Sequence, residues 1–171
     1  MRLFIAIMLP EEAGKKILKF ADELKRKGVI GRFVPLEDLH LTLAFIGEYN
    51  DINHVAEAVN TIDFEPFSIR LNDWTVDRKG ILKVIPEENE ALAGLAESIR
   101  TALISNGIYC DSRSFAPHVT VSRRSTGFPD MKYTDIDMDI DFDVEMFSLM
   151  QSVQGQYNSS YTRICSFVYD K

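Results

Sequence analysis

Apolar residues run almost unbroken from Leu3 to Leu9 and stop at Pro10, the pattern of a short strand buried on both faces. From Glu11 to Lys27 the period changes. Ile17, Phe20, Ala21 and Leu24 form a helical stripe with acids early, bases late and Gly28 as the stop. A loop is expected to run to Pro35, followed by a strand at Leu39–Ile46 that ends at Gly47. Asp51 is placed to cap a short helix with Val55, Ala58, Val59 and Ile62 on one side. Phe67–Leu71 and Ile81–Ile85 read as a hairpin turned through Asp77–Gly80. The strongest helical repeat, Leu92, Leu95, Ala96, Ile99, Ala102 and Leu103, predicts a helix from roughly Glu87 to Ser105, stopped by Asn106-Gly107. Val119–Ser122 reads as a strand after Pro117. Between Asp135 and Met146 acids alternate strictly with apolar residues, giving one acidic and one buried face. A last strand is expected at about Tyr161–Tyr169.

That order, β-α-β-α-β-β-α-β-β-β, is an α+β pattern of mostly antiparallel strands. No linker long enough to separate independent units interrupts it, so residues 1–171 are read as one domain. The balance of 19 Lys+Arg against 26 Asp+Glu gives a net charge of -7, which supplies no global attraction for nucleic acid or an anionic membrane. Any nucleic-acid role must therefore be local. Cys110 and Cys165 form neither a disulfide framework nor a zinc spacing, so a reduced, cytoplasmic protein is expected. The Leu3–Leu9 run is too short to span a membrane and lacks a cleavage pattern, which argues against membrane insertion and secretion. A monomer is expected.

Candidate chemistry lies in the histidines. There are three, and two share one pattern: His40-Leu41-Thr42-Leu43 and His118-Val119-Thr120-Val121. Residues two apart on a strand share a face, so each imidazole stands beside its own hydroxyl, about 6.5 Å away by strand rise. A single His-x-Thr is ordinary strand composition; its duplication is the signal. If the two strands lie side by side about a pseudo-two-fold axis, two imidazoles and two hydroxyls surround one small volume. That set suits phosphoryl chemistry, with one imidazole removing a proton from attacking water and the other protonating the departing oxygen. The hydroxyls donate hydrogen bonds to non-bridging phosphate oxygens. This scheme requires no metal, and two histidines without a third ligand make a poor zinc set. His54 reads as a solvent-facing helix residue.

At these motifs the sequence resembles a known family. The paired H-x-T-x motifs within Leu39–Glu48 and Phe115–Arg123, with Arg2–Ile7 at the start and Phe147–Ser152 and Tyr161 late in the chain, are similar to the 2H phosphoesterase superfamily. Within it they most resemble the RNA 2′,3′-cyclic phosphodiesterases, historically called 2′-5′ RNA ligases. The resemblance covers Arg2 to about Val168. It implies a bilobal α+β fold with pseudo-two-fold symmetry around a central cleft, no metal or cofactor, and opening of a terminal RNA 2′,3′-cyclic phosphate to a 2′-phosphomonoester. By the same resemblance His40 is the proton donor, His118 the proton acceptor, and Thr42 and Thr120 the phosphate-binding threonines. Phe45 and Arg123 match positions near the substrate. Each lies five residues past its histidine, however, and so has the wrong parity for the cleft face unless its strand bends or ends first.

Two questions stay open at the level of sequence. The acidic alternation is poor company for a polyanion, so that face is expected to be a solvated edge turned from the cleft, with a local positive rim from Arg123, Arg124, Arg32 and Arg113. RNA 3′ ends and small cyclic nucleotides would use the same four central groups. Alternative readings are ligation of 2′-5′ RNA ends, another 2H cyclic-nucleotide phosphodiesterase, or a non-catalytic RNA-binding module. Retention of both histidines favours chemistry over binding alone.

Overall fold

Strand β1 (Arg2–Met8) is buried along Leu3–Ile7, as its unbroken apolar run requires. The computed structural model describes residues 1–129, 138–156 and 158–170. Helix α1 (Glu11–Arg26) follows and buries Ile17, Phe20, Ala21 and Leu24, the expected stripe. The segment expected as loop before Pro35 contains a short strand, β2 (Ile30–Phe33), whose four residues are too few to show a period. A single 3-10 turn at Leu36–Asp38 leads into β3 (His40–Glu48). Helix α2 (Ile52–Val59) is capped by Asp51, whose carboxylate accepts from the His54 N–H at 2.9 Å.

Strands β4 (Phe67–Val76) and β5 (Leu82–Pro86) form the hairpin. Its turn is closed by Asp77, which accepts from the Lys79 and Ile81 N–H groups at 2.8 and 3.0 Å. Helix α3 spans Glu90–Ser105 rather than starting near Glu87. Pro86 ends β5, and Asn89 provides the cap by accepting from the Leu92 N–H at 3.0 Å. Strand β6 (Val119–Thr126) extends four residues beyond the expected end. The alternating acidic segment divides: Asp135 to Asp137 lie outside the described residues, β7 covers Ile140–Val144, and β8 (Met146–Gln154) begins at Met146. Strand β9 (Ser159–Val168) is last.

The nine strands found among the described residues join one antiparallel sheet in the order β7-β4-β5-β6-β3-β1-β8-β9, with β2 added to β6. Helices cover one face. There α1 meets β7 while α3 meets β3 and β4. One buried cluster runs across this face from Leu3 and Ile5 through Leu41 and Val119 to Leu71 and Phe142. The other face is open and carries only a small apolar cluster of Phe4, Ala6 and Met150, with Phe45 and Tyr161 packed against it. No helix among the described residues is long and apolar enough to cross a membrane.

The acids of β7 need a refined placement. Ile140, Phe142 and Val144 point to the helix-covered core, so Asp141 and Asp143 lie on the open face, the same face as the motif histidines. They are nevertheless remote, because β7 is the edge strand and β4 and β5 separate it from β6. The edge is also partly neutralised: Arg70 grips Asp139 at 2.8 and 3.1 Å, and Ser68 donates to Asp143 at 2.6 Å. Leu41 lies fully buried at the centre of the core cluster. Leu41→Ala is therefore expected to cost about 2–5 kcal/mol in chemical denaturation, whereas Asp139→Asn at the exposed edge leaves the transition midpoint at the wild-type value. Equal losses from the two would contradict this placement.

Candidate active site

The open face is built around one contact between the two motif strands. Leu41 of β3 pairs with Val119 of β6, antiparallel, and both side chains are buried on the helix side. The alternation then sends the residues before and after each of them to the open face. Antiparallel register places His40 alongside Thr120 and Thr42 alongside His118, with neighbouring side chains about 5 Å apart at their Cβ atoms. All four motif groups thus meet in a square whose two-fold centre is the Leu41–Val119 pair. The imidazoles are near enough that the charge of His118 acts on His40.

The parity problem at Phe45 and Arg123 is resolved by two equivalent irregularities. Along β1 the register steps from Ala6↔Thr42 to Ile5↔Ala44, leaving Leu43 as the extra residue of a bulge. Along β5 it steps from Lys83↔Thr120 to Leu82↔Ser122, leaving Val121 as the extra residue. Leu43 and Val121 occupy the same place in their motifs, and both are buried. Each bulge reverses the alternation beyond it, so Phe45 and Arg123 arrive on the open face after all. Both line a cavity of about 330 Å³ together with His40 and Thr42.

The two histidines are held in the same manner. The His40 Nδ1–H donates to the Asp38 carbonyl at 2.6 Å, and the His118 Nδ1–H donates to the Ala116 carbonyl at 2.9 Å. A carbonyl only accepts, so each neutral ring carries its proton on Nδ1 and leaves the Nε2 lone pair toward the open face. Burial pushes both imidazoles below their ordinary value, with the carbonyl bonds opposing it. Arg123 and His118 push His40 further down, while Lys83 and Arg123 do the same to His118, against Asp77. Both shifts favour the neutral form of the two rings in the free protein.

Several groups enter the site without any signal from motif spacing. Lys83 is paired across to Thr120, holds Asp77 at 3.2 Å and lines a second cavity of about 690 Å³ with Thr42 and His118. A lone lysine within the apolar strand Ile81–Ile85 was the only hint. Tyr161 meets the His40 ring edge-on at 4.8 Å, and Phe4 approaches it at 5.1 Å. Asp38, nearly buried, links these parts: its carbonyl orients His40, and its carboxylate accepts the Tyr161 backbone N–H. Burial pushes that carboxyl above its usual range, and the Glu37 charge adds to the effect.

Of the arginines expected at the rim, Arg123 lies at His40, and Arg32 is its cross-strand neighbour on β2. Arg124 is exposed with a φ of 53°, where β6 bends. Arg113 reaches the second cavity, but its Nε–H donates to the Asp111 carboxylate at 2.8 Å. His54 is not solvent-facing as expected; it is half-buried and shares a 2.8 Å hydrogen bond with the Tyr49 hydroxyl, away from the site. Among the described residues no three His, Cys, Asp or Glu side chains converge as a metal-ligand group.

This geometry has known counterparts. The family model described as LigT like Phosphoesterase matches residues 7–78, the part of the chain that holds the first motif. A protein named RNA 2′,3′-cyclic phosphodiesterase from Methanocaldococcus jannaschii is 32% identical over 127 residues, covering 72% of this chain and 71% of the relative. Its namesake from Thermotoga maritima is 31% identical over 153 residues, covering 83% and 79%. Among solved structures, a phosphoesterase superposes with a TM-score of 0.84 at 25% identity, covering 99% of this chain and 98% of the other. Escherichia coli LigT in its apo form gives 0.82 at 26% identity, covering 98% and 96%. With the likeness running through sequence and fold alike, the chain belongs to the LigT-like phosphoesterase family.

Proposed function

We propose that this protein hydrolyses the 2′,3′-cyclic phosphate at an RNA 3′ end to a 2′-phosphomonoester, using His40 and His118 as an acid–base pair. The observation that carries the reading is the Leu41–Val119 pairing, which gathers two tautomer-locked imidazoles and two hydroxyls on one open face. The relatives named as RNA 2′,3′-cyclic phosphodiesterases supply the substrate class.

The step follows from the arrangement. A cyclic phosphate in the square receives hydrogen bonds from the Thr42 and Thr120 hydroxyls on its non-bridging oxygens. His118, neutral at Nε2, takes a proton from water as the water oxygen bonds to phosphorus. The P–O3′ bond breaks on the opposite side, and protonated His40 delivers its Nε2 proton to the departing O3′. Lys83 and Arg123 stabilise charge gathering on phosphorus oxygens. Phosphate remains on O2′, and the two imidazoles have exchanged protonation states.

The same reading places the protein in a reducing compartment as one domain over residues 1–171. Free thiols at Cys110 and Cys165 support the first. A core cluster drawing on residues from Leu3 to Leu149 supports the second.

Turnover of an RNA oligonucleotide bearing a 2′,3′-cyclic end, with the product read by mass and ³¹P spectra, tests the reaction. A 2′-phosphomonoester is expected; a 3′-phosphomonoester or unchanged substrate would refute it. His40→Ala and His118→Ala are each expected to lower kcat by about 10²–10⁴-fold, and the double variant to lose less than the product of the single losses.

The pH profile carries a sign of its own. Catalysis needs one imidazole neutral and one protonated, and both are held below the ordinary histidine value in the free protein. The singly protonated pair is therefore most abundant on the acid side of neutrality, and it is lost as pH rises. The kcat/KM profile should be a bell peaking below about pH 6.5. A bound phosphate favours the imidazolium, so the kcat profile should peak at higher pH than kcat/KM. A kcat/KM maximum above pH 7 would contradict the assigned protonation states.

A further inference from the structure

The open face of the sheet is electrically divided at the motif square. On the His40 side, register carries side chains outward in rows across β1, β8 and β9. Phe45, Phe4, Met150 and Arg163 form one row, and Glu48, Arg2, Ser152 and Tyr161 the next. Phe4 and Met150 are buried on this face, so Arg163, directly across from Met150, shares it, as does Arg2, two residues before Phe4. The cavity that holds His40 continues along these rows to Arg2, Gln154 and Ser159. The Arg2 guanidinium lies 5.0 Å over the Phe45 ring, and the N-terminal ammonium engages Glu48 at 3.2 Å. Cations thus alternate with aromatic rings and amide or hydroxyl groups.

The His118 side has the opposite character. A largely apolar groove of about 600 Å³ leads away from His118 along Ile85 and Phe115, with Glu87, Glu88 and Glu90 on its wall. Beyond it lie Asp141 and Asp143 of β7, while Arg70 is held between Asp139 at 2.8 Å and Glu87 at 3.5 Å. A polyanion leaving the square in this direction would meet successive carboxylates. One entering over β1, β8 and β9 meets Arg2 and Arg163.

We propose that the RNA strand upstream of the cyclic phosphate lies across β1, β8 and β9, with phosphates on Arg2 and Arg163 and bases against Tyr161 and the Arg2–Phe45 pair. This rests on the reaction proposed above and deepens it by giving the substrate a direction. The chemistry agrees with the charge. His40 protonates O3′, so the ribose and the chain attached to it stay on the His40 side, while water comes from the His118 side. The distance from β3 to β9, three strand spacings or about 14 Å, accommodates a few nucleotides. Rings interleaved with cations are the usual means of holding single strands without reading their sequence. A local patch of this kind also accounts for RNA use by a chain of net charge -7.

Arg163 is exposed and separated from His40 by β1 and β8, which makes it the probe. Two measurements are paired. One is kcat/KM for a hexaribonucleotide ending in a 2′,3′-cyclic phosphate relative to that for a 2′,3′-cyclic mononucleotide. The other is the salt dependence of binding of a hexaribonucleotide ending in a 2′-phosphate, which needs no turnover. Arg163→Gln should lower the hexamer-to-mononucleotide ratio by about three- to tenfold and reduce the slope of log Kd against log salt by about 0.7. Arg70→Gln, at the acidic edge, should leave ratio and slope at wild-type values. A wild-type slope in active Arg163→Gln protein, or an equal loss in Arg70→Gln, overturns the platform. Absence of turnover on both substrates with the slope change intact refutes the proposed reaction and upholds the platform.

Discussion

Everything chemical in this fold depends on one antiparallel pairing, Leu41 against Val119. Both side chains are buried under the helices, which sets the register by the hydrophobic effect rather than by any catalytic group. A slip of β3 by one residue against β6 would turn Leu41 and Leu43 outward and His40 inward. The cost of exposing that apolar surface protects the geometry of the square. The His–Thr square is in this sense the reverse side of a core contact.

From that centre the sheet departs from ideal geometry at two equivalent points. The bulges at Leu43 and Val121 shift the alternation by one residue in each half, so the site gains Phe45 on one flank and Arg123 on the other. The backbone is two-fold in this respect, but the side chains are not. Thr120 is flanked on β5 by Lys83, whereas Thr42 is flanked on β1 by Ala6. His40 rests against Phe4 and Tyr161, whereas His118 opens toward an apolar groove. Symmetry supplies two like imidazoles, and their neighbours make them unlike, as the proposed in-line displacement would require.

Both imidazoles obtain their tautomer from a backbone carbonyl two residues earlier in the chain. A carbonyl fixes the proton on Nδ1 without contributing a formal charge, so burial dominates and keeps the rings neutral until an anion arrives. The Asp38 carboxyl is itself nearly buried and accepts from the Tyr161 backbone N–H. The acids of β7 lie across the sheet from the two imidazoles, beyond β4 and β5.

Local pattern was enough to locate most elements, because apolar periods of two and near 3.6 reflect the faces each segment must bury. The duplicated His-x-Thr, visible in one dimension, singled out His40, Thr42, His118 and Thr120 as candidates, and the Leu41–Val119 pairing puts them on one face. Local pattern failed at β2, which is too short for a period, and at the start of α3, where Pro86 and Asn89 outweighed the helical composition before them. His54 turned out half-buried because Tyr49, five residues away, folds back to its ring. Phe45 and Arg123 illustrate the boundary best. Strand parity argues against them, and only the extra residue in each ladder, a property of how two strands fit together, returns them to the cleft. Lys83, Arg2 and Arg163 likewise acquire meaning only from their cross-strand partners. The amino-acid sequence by itself determined which residues can do the chemistry and which faces must be buried. Only the tertiary structure decided which of them meet, because register, bulges and sheet order follow from packing across strands distant in the chain.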